Sequence, residues 1–345
     1  MTVLLTGGGG FVGHHTLAHF LKTTDYSFVV TDSFRHRGSS ARLRSVFDEI
    51  PSASSRVKVI THDLTTPIDS VTAKQFGNIK YIISMASESH VDRSITAPVP
   101  FVINNVNLVL NLLEYSRQLN SLELFLQIST DEVYGPAKET YLHKEWDTYF
   151  PSNPYSASKA SQEAICYSYW RTFGLPIIIT NTMNIIGERQ DTEKFIPLVI
   201  RGLIKNSDVL IHAKKTDKGW IPGSRFYLHA RNQADALKYI LEKHAYIDLK
   251  YTGDNSILEK FHIVGERELT NLQVVELISN YLGVKPRIIF DNFHTSRPGH
   301  DLRYALDGSK LKNLGWIPPL PLEKSLEKVA QWYLNNKDWL EFISS

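Results

Sequence analysis

The sequence predicts an α/β protein: a doubly wound parallel sheet with a smaller mixed α/β region attached. Three observations predict it. A short apolar run, Val3-Leu4-Leu5, leads into a glycine run and then an amphipathic stretch from His14 to Leu21. Strand-like and helix-like stretches alternate through the first half, as in a parallel sheet with crossover helices. After about residue 184 the alternation gives way to turns and short elements, with Arg, His and Trp scattered among them.

The glycine run places Gly7, Gly10 and Gly13 three apart, with Phe11 and Val12 between the last two. The first glycine permits a sharp turn, the second lets a pyrophosphate approach the backbone, and the third lets helix and strand pack closely. Unpaired N–H groups at the helix start then face phosphates. Strand, glycine turn and helix together are the context of a Rossmann-type dinucleotide site; a plain structural turn has the same composition, so the following residues decide. Phe28-Val29-Val30-Thr31 reads as the second strand and ends in Asp32. An acid about 20 residues past the glycines suits the adenosine ribose hydroxyls, and its charge repels the extra phosphate of NADP, so NAD is expected. Arg35 and Arg37 weaken that preference, unless they form a solvated basic loop.

Val57 to Ile60 is a third strand, closing at His62-Asp63-Leu64. Asp63 and Leu64 lie where such folds hold the adenine ring; a turn cap is the other reading of Asp63. Tyr81 to Ser84 is a fourth strand. Small residues after it, Ala86 among them, leave room for a cofactor at the carboxyl edge. Phe101 to Arg117 has helical spacing, with Asn104 and Asn105 near its start. Leu122 to Ile128 is a fifth strand, mostly apolar and so expected to be buried on both faces. A second long helix runs from Tyr155 to about Phe173, and Leu175 to Thr180 is a sixth strand. Beyond it, Lys214 to Ser224 reads as a surface loop with two glycines and a proline. Leu272–Leu282 and Leu322–Leu334 read as helices. The expected division is 1–184 for the dinucleotide, with segments such as 225–243 returning to it, and 185–345 mainly for the substrate.

Composition narrows the possibilities. The 345 residues are 42% hydrophobic, enough for one large or two modest domains with a substantial core. Lys plus Arg is 38 against 36 for Asp plus Glu, a balance that argues against a nucleic-acid partner. The single cysteine, Cys166, forms no intrachain disulfide and reads as core filler. No apolar run reaches the roughly 18 residues of a membrane span, and no basic leader precedes the first strand. A cytoplasmic protein without a metal site is expected.

Tyr155 and Lys159 stand four apart at a helix start and share one face. Free tyrosine titrates near pH ~10, so a tyrosinate base at neutral pH needs a drop of roughly 3 units. A nearby ammonium and a positive cofactor ring together are expected to supply it. Tyr-x-x-x-Lys alone is common on amphipathic helices; after the glycine motif and Asp32 it reads as catalytic.

With these residues assembled, the chain resembles the extended short-chain dehydrogenase/reductases, and more narrowly the nucleotide-sugar 4,6-dehydratases, those acting on dTDP-glucose above all. The matching stretches are TGGGGFVG at 6–13, ESHVDRSI at 88–95, ISTDEVYG at 128–135, NPYSASKAS at 153–161, EKFIPLVI at 193–200 and RPGHDLRYALD at 297–307. The specific part is Thr130-Asp131-Glu132, since related epimerases and decarboxylases generally lack the acidic pair. The resemblance implies oxidation of the sugar at carbon 4, loss of water across carbons 5 and 6, and hydride return to carbon 6. It assigns Tyr155 as base toward the 4-hydroxyl, Thr130 as its hydrogen-bonding partner, Glu132 as base at carbon 5 and Asp131 as acid at the leaving 6-hydroxyl. Two neighbouring carboxyls with opposite duties need different protonation states; the bland alternative is that they cap a turn. The resemblance also points to Glu88 and Arg93 near the sugar, and to Asn184, Lys194, Arg225, Arg297 and His300 around the nucleotide diphosphate. Each of these has a surface ion pair as its alternative. A homodimer through the 101–117 and 155–173 helices is implied as well, with Tyr167, Tyr169 and Trp170 either in that contact or in the monomer core.

The chain departs from the family pattern in three places. Ile185-Ile186 follows Asn184 where a polar residue and a tyrosine are usual. Ser84-Met85-Ala86-Ser87 replaces an apolar run, and the 213–224 segment is longer than usual. The nucleobase stays open between thymine and uracil. An epimerase or decarboxylase acting on a UDP-sugar is the second reading, and a catalytically silent NAD-sensing protein the third.

Overall fold

The computed structural model of the chain describes residues 1–253, 256–292 and 301–341. It begins with β1 (Thr2–Thr6), α1 (Phe11–Thr23) and β2 (Ser27–Asp32). Helices α2 (Ser40–Glu49) and α3 (Ala53–Arg56) precede β3 (Val57–Thr61), and α4 (Ser70–Phe76) precedes β4 (Tyr81–Ser84). Then come α5 (Val91–Thr96), α6 (Pro98–Ser116), β5 (Leu124–Thr130), α7 (Pro154–Phe173) and β6 (Ile177–Thr182). The later chain adds β7 (Ile185–Ile186), α8 (Phe195–Ile204), β8 (Asp208–Thr216), β9 (Gly219–Pro222), β10 (Ser224–Phe226), β11 (Leu228–His229) and α9 (Ala230–Lys243). It closes with β12 (Glu259–Ile263), β13 (Glu268–Thr270), α10 (Asn271–Leu282), β14 (Arg287–Asn292), α11 (Ser309–Asn313), α12 (Leu322–Asn335) and α13 (Asp338–Glu341).

Seven strands form one parallel sheet in the order β12-β6-β5-β4-β1-β2-β3. This is the doubly wound, Rossmann-type arrangement the alternation predicts. The period of two decides its two faces. Val3 and Leu5 of β1 join the cluster of Leu17, Phe20, Leu237 and Ile240 from α1 and α9. Leu4, between them, joins Leu112, Leu113, Cys166 and Trp170 from α6 and α7 on the other face. Strand order reverses between β1 and β4, which opens a crevice at the strands' carboxyl ends.

A third cluster, with Val199, Ile211, Val275 and Val329, sits among α8, β8, α10 and α12 and forms the smaller region. Here the sequence reading needs correction. Residues 214–224 are no loop: β8 and β9 form an antiparallel hairpin pairing Lys214 with Ile221 and Lys215 with Trp220. Val209, Ile211 and Ala213 alternate inward and are buried, and Trp220 stacks on Phe290 of β14 with ring centroids 5.7 Å apart. The turn residues marked only the hairpin's tip and its edge. α8 and α9 are likewise full helices where short elements were expected. α9 lies on α1, and β12 extends the large sheet beyond β6.

Candidate active site

The crevice at the strand ends is one continuous cleft, and its first wall is mostly backbone. Gly7 turns with φ +69°, and its N–H donates to Thr31 O at 2.8 Å. A Cβ on Gly13 would stand 2.1 Å from Gly7 O, so only glycine lets α1 start so close to the strand. Gly10 caps α1 with no side-chain bond, leaving first-turn N–H groups free to meet an anion. The Asp32 carboxylate accepts from Gly9 N at 3.0 Å and Phe34 N at 2.9 Å. Burial raises its pKa, and those two N–H groups oppose the rise. Gly7, Gly10, Phe11, Val12, Gly13, Asp32, Asp63, Leu64 and Ala86 all line this part of the cleft. An uncapped helix start, a glycine surface and a carboxylate at the second strand's end fit a dinucleotide.

The basic loop after Asp32 is partly exposed, but its charges are paired. Arg35 pairs with Asp63 at 2.8 Å and donates to Asn104 Oδ1 at 3.0 Å, while Arg37 pairs with Glu193 at 2.5 Å. His36 lies 3.4 Å from Glu88. Both arginines are therefore engaged by acids, which removes the reason to expect a 2′-phosphate there.

The second wall is built of titratable side chains. β5 ends at Thr130, whose hydroxyl caps a single 3-10 turn over Asp131–Tyr134. α7 begins at Asn153, with a reciprocal capping pair to Ser156, Pro154 in the first turn, and Gly174 at φ +68° closing the other end. From that start, Tyr155 comes beside Thr130 and the turn's two acids, and Lys159 reaches the end of β5 at Ile128 O. Asn153 Nδ2 also donates to Glu132 Oε2 at 3.2 Å. Thr130, Asp131, Glu132, Tyr155 and Lys159 line the same cleft as the glycines.

Their surroundings set their protonation. Burial, and then the charge of Glu132, push the Asp131 carboxyl up to about 7. Its Oδ1 accepts from the Thr130 hydroxyl at 2.9 Å, whereas Oδ2 is buried without a partner among the described residues. Burial also raises Glu132, opposed by Asn153, Arg225 and Lys194. The chain's own groups raise the Tyr155 phenol, by burial first and then by Glu132, with the Thr130 hydrogen bond opposing. Lys159 gives its hydrogen bonds to Ile128 O at 2.7 Å and Gln162 Oε1 at 2.6 Å, and burial lowers it to about 8.

On the side toward the smaller region, Glu88, Arg93, Asn184 and Lys194 line the cleft. Asn105 clamps the backbone of Glu88, accepting from its N–H at 2.9 Å and donating to its carbonyl at 3.0 Å. Lys194 reaches Ser89 O at 3.2 Å, and burial lowers its pKa. Arg225 is not among the lining residues. Its guanidinium donates to Leu302 O at 2.8 Å and Asp301 O at 2.7 Å and lies over the Tyr304 ring, so it acts on the acids only through its charge. Arg297 and His300 lie outside the described residues. Trp170 is monomer core, its indole bonded to Leu249 O at 2.7 Å, and Tyr169 is buried beside it with its hydroxyl on Glu114. Among the described residues no His, Cys, Asp and Glu cluster suits a metal, and no helix is long and apolar enough to cross a membrane.

Sequence reading gave no role to Asn153 or Asn105. An Asn-Pro pair before a helix is a legible cap signal, but its second contact, with Glu132, is made only in the fold.

Comparison with known proteins places this geometry. A family model described as GDP-mannose 4,6 dehydratase matches residues 4–329. A dTDP-glucose 4,6-dehydratase of Escherichia coli is 33% identical over 99% of this chain and 96% of its own. The dTDP-glucose 4,6-dehydratase of Streptomyces venezuelae, solved with NAD bound, superposes with a TM-score of 0.82 at 29% identity, covering 98% of each chain. A UDP-glucuronic acid 4-epimerase of Bacillus cereus shares the fold at TM-score 0.83 and 23% identity, over 97% of this chain and 100% of its own.

Proposed function

The chain belongs to the GDP-mannose 4,6 dehydratase family, and from that premise we propose that it dehydrates dTDP-glucose to the 4-keto-6-deoxy sugar. It is an enzyme of the hydro-lyase kind, and its cofactor is NAD. Bound in its oxidised form, NAD supplies a hydride acceptor, a later hydride donor, and a positive charge. The glycine turn and the start of α1 would hold its phosphates, and Asp32 its adenosine ribose.

The chain's own groups do the proton work. Tyr155 takes the proton of the sugar 4-hydroxyl, and the Thr130 hydroxyl bonds the same oxygen. Left to its neighbours Tyr155 keeps its proton, so it becomes a base only when the site carries added positive charge. Glu132 removes the proton at carbon 5, which a 4-ketone has made acidic. Asp131, held up to about 7, still carries a proton near neutrality and passes it to the leaving 6-hydroxyl. Glu88 and Arg93 serve the sugar and Asn184 and Lys194 the nucleotide diphosphate, with Arg225 contributing only its charge; Arg297 and His300, assigned to the same role by resemblance, lie outside the described residues. Residues 1–184, with 225–243, make the NAD half and 185–345 mainly the nucleotide-sugar half. A homodimer through α6 and α7 would cover Val99, Ile103 and Phe173, which are exposed apolar residues on those helices. The reading places the enzyme in the cytoplasm.

The observation that carries the proposal is the acidic pair: Asp131 and Glu132 share one turn with Thr130, line the cleft with Tyr155, and Asp131 is raised. The test is turnover of dTDP-glucose and UDP-glucose by NAD-loaded protein in deuterated water. A 4-keto-6-deoxy product with deuterium at carbon 5 is expected, and the better substrate identifies the nucleobase. A product that keeps its 6-oxygen would make the chain an epimerase or decarboxylase instead.

A further inference from the structure

Below the reacting wall lies a buried ion pair that the proposed chemistry does not use. Glu163 on α7 and Lys260 on β12 meet at 2.7 Å, and both side chains are fully buried. Glu163 Oε1 accepts from Ser129 Oγ at 2.5 Å and from Asn181 Nδ2 at 2.7 Å. Its Oε2 accepts from Tyr149 Oη at 2.5 Å as well as from Lys260. Lys260 also donates to Tyr149 Oη at 2.7 Å and stands 4.6 Å from the Trp146 ring and 4.7 Å from that of Tyr149. The same Asn181 amide donates to Thr130 O at 2.9 Å.

These bonds fall on three successive residues of β5. Lys159 holds Ile128 O, Glu163 holds the Ser129 hydroxyl, and Asn181, itself held by Glu163, takes Thr130 O. Glu163 is also one helical turn beyond Lys159, on the same face of α7. Two buried charges are a poor device for stability alone, because well-packed apolar residues often do as well or better.

We propose that the Glu163–Lys260 pair positions the catalytic wall: it fixes the end of β5 under Thr130 and keeps a carboxylate facing the Lys159 ammonium. What Thr130 and Lys159 do there rests on the dehydratase reading above. The groups facing Glu163 are Ser129 from β5, Asn181 from β6, Lys260 from β12, Tyr134 from the 3-10 turn, Tyr149 from the segment before α7, and Lys159 and Cys166 from its own helix. Facing Lys159 are the Ile128 carbonyl, Gln162, Glu163 and Cys166. Burial works against the Lys159 charge, and Glu163 is the largest influence that sustains it. Lys260 in turn places an opposite charge 2.7 Å from the Glu163 carboxyl in a dry site.

The test is the titration of Lys159 by lysine side-chain NMR on the full chain, its signal assigned by loss in Lys159→Arg. Glu163→Gln alone strands the Lys260 charge and can fail to fold, so the decisive variant is Glu163→Gln with Lys260→Met, which removes both charges. The Lys159 midpoint should fall by about one unit or more, the effect of an opposite charge at such range. The alkaline limb of kcat against pH should move down with it, as Lys159 loses its charge at lower pH, while KM stays within about twofold. Glu163→Asp, which keeps the charge, should restore most of the midpoint. A folded double variant with an unmoved midpoint and an unmoved kcat profile would overturn the proposal. If the parent turns over neither nucleotide sugar yet the midpoint falls, the pair's hold on Lys159 stands and the dehydratase reading is what fails.

Discussion

The two walls of the cleft are made of different material. The glycine wall is backbone: N–H groups, a helix start and clearances too tight for a Cβ. The opposite wall is buried side chains whose charge states depend on what surrounds them. A backbone wall holds its chemistry whatever the pH and fails by collision. A side-chain wall keeps its shape under conservative change and fails by losing or gaining a proton. Changes to each wall should therefore break different measurements.

The largest effect is expected from Tyr155→Phe, which removes the hydroxyl proposed as the base and leaves the ring that meets Phe101 edge-on at 6.3 Å. kcat should fall by about 10²–10⁴-fold, the usual worth of a positioned acid or base, with NAD content of the purified protein unchanged. Normal turnover would remove Tyr155 from the mechanism.

Asp131→Asn should lower kcat by roughly 10²-fold or more and also stabilise the fold in alkaline solution. The sign follows from the carboxyl being raised from 3.8 to about 7 in the folded chain. Its contribution to stability is whole below the unfolded pKa, near 4, and is lost as pH rises to about 7. The melting-temperature gap between variant and parent should thus widen from pH 5 to 8; a constant gap would mean Asp131 is ionised at both. In the parent, kcat should decline above about pH 7 as the acid loses its proton.

Gly13→Ala tests the other wall. Its Cβ would meet Gly7 O at 2.1 Å and Gly8 Cα at 2.8 Å, so α1 must move away from the strand. Overpacking of this kind costs about 1–3 kcal/mol. NAD affinity, read by calorimetry, should fall roughly 10–100-fold, while the pH dependence of what activity remains stays unchanged. The smallest effect is expected from Asn153→Ala, which removes the α7 cap and one bond to Glu132. About 1 kcal/mol of stability should go, together with a small change in the pH profile, since Asn153 opposes the rise in the Glu132 pKa.

What could be read beforehand divides along the same line. Glycine spacing, the Asp32 offset and the Tyr155–Lys159 step are local, because turns and helix faces are fixed over a few residues. The 208–222 hairpin was missed because Lys214, Lys215, Asp217 and Lys218 make an outward-facing edge look like a loop; only packing on Phe290 shows the inward residues as a strand. The upward push that burial gives Tyr155 was not legible, because a lysine four residues away is visible in a sequence, whereas the extent of burial is not.

By itself, the order of residues determined the doubly wound sheet, the dinucleotide turn and which side chains are capable of acid–base chemistry. Those depend on backbone preferences and on apolar periods, which act over short distances. The tertiary structure alone decided the protonation of Asp131 and Tyr155, the capture of Arg35 and Arg37 by Asp63 and Glu193, and the meeting of Glu163 with Lys260 across 97 residues. Electrostatic energies are set by separation in space and by the exclusion of water, and neither is written in a linear chain.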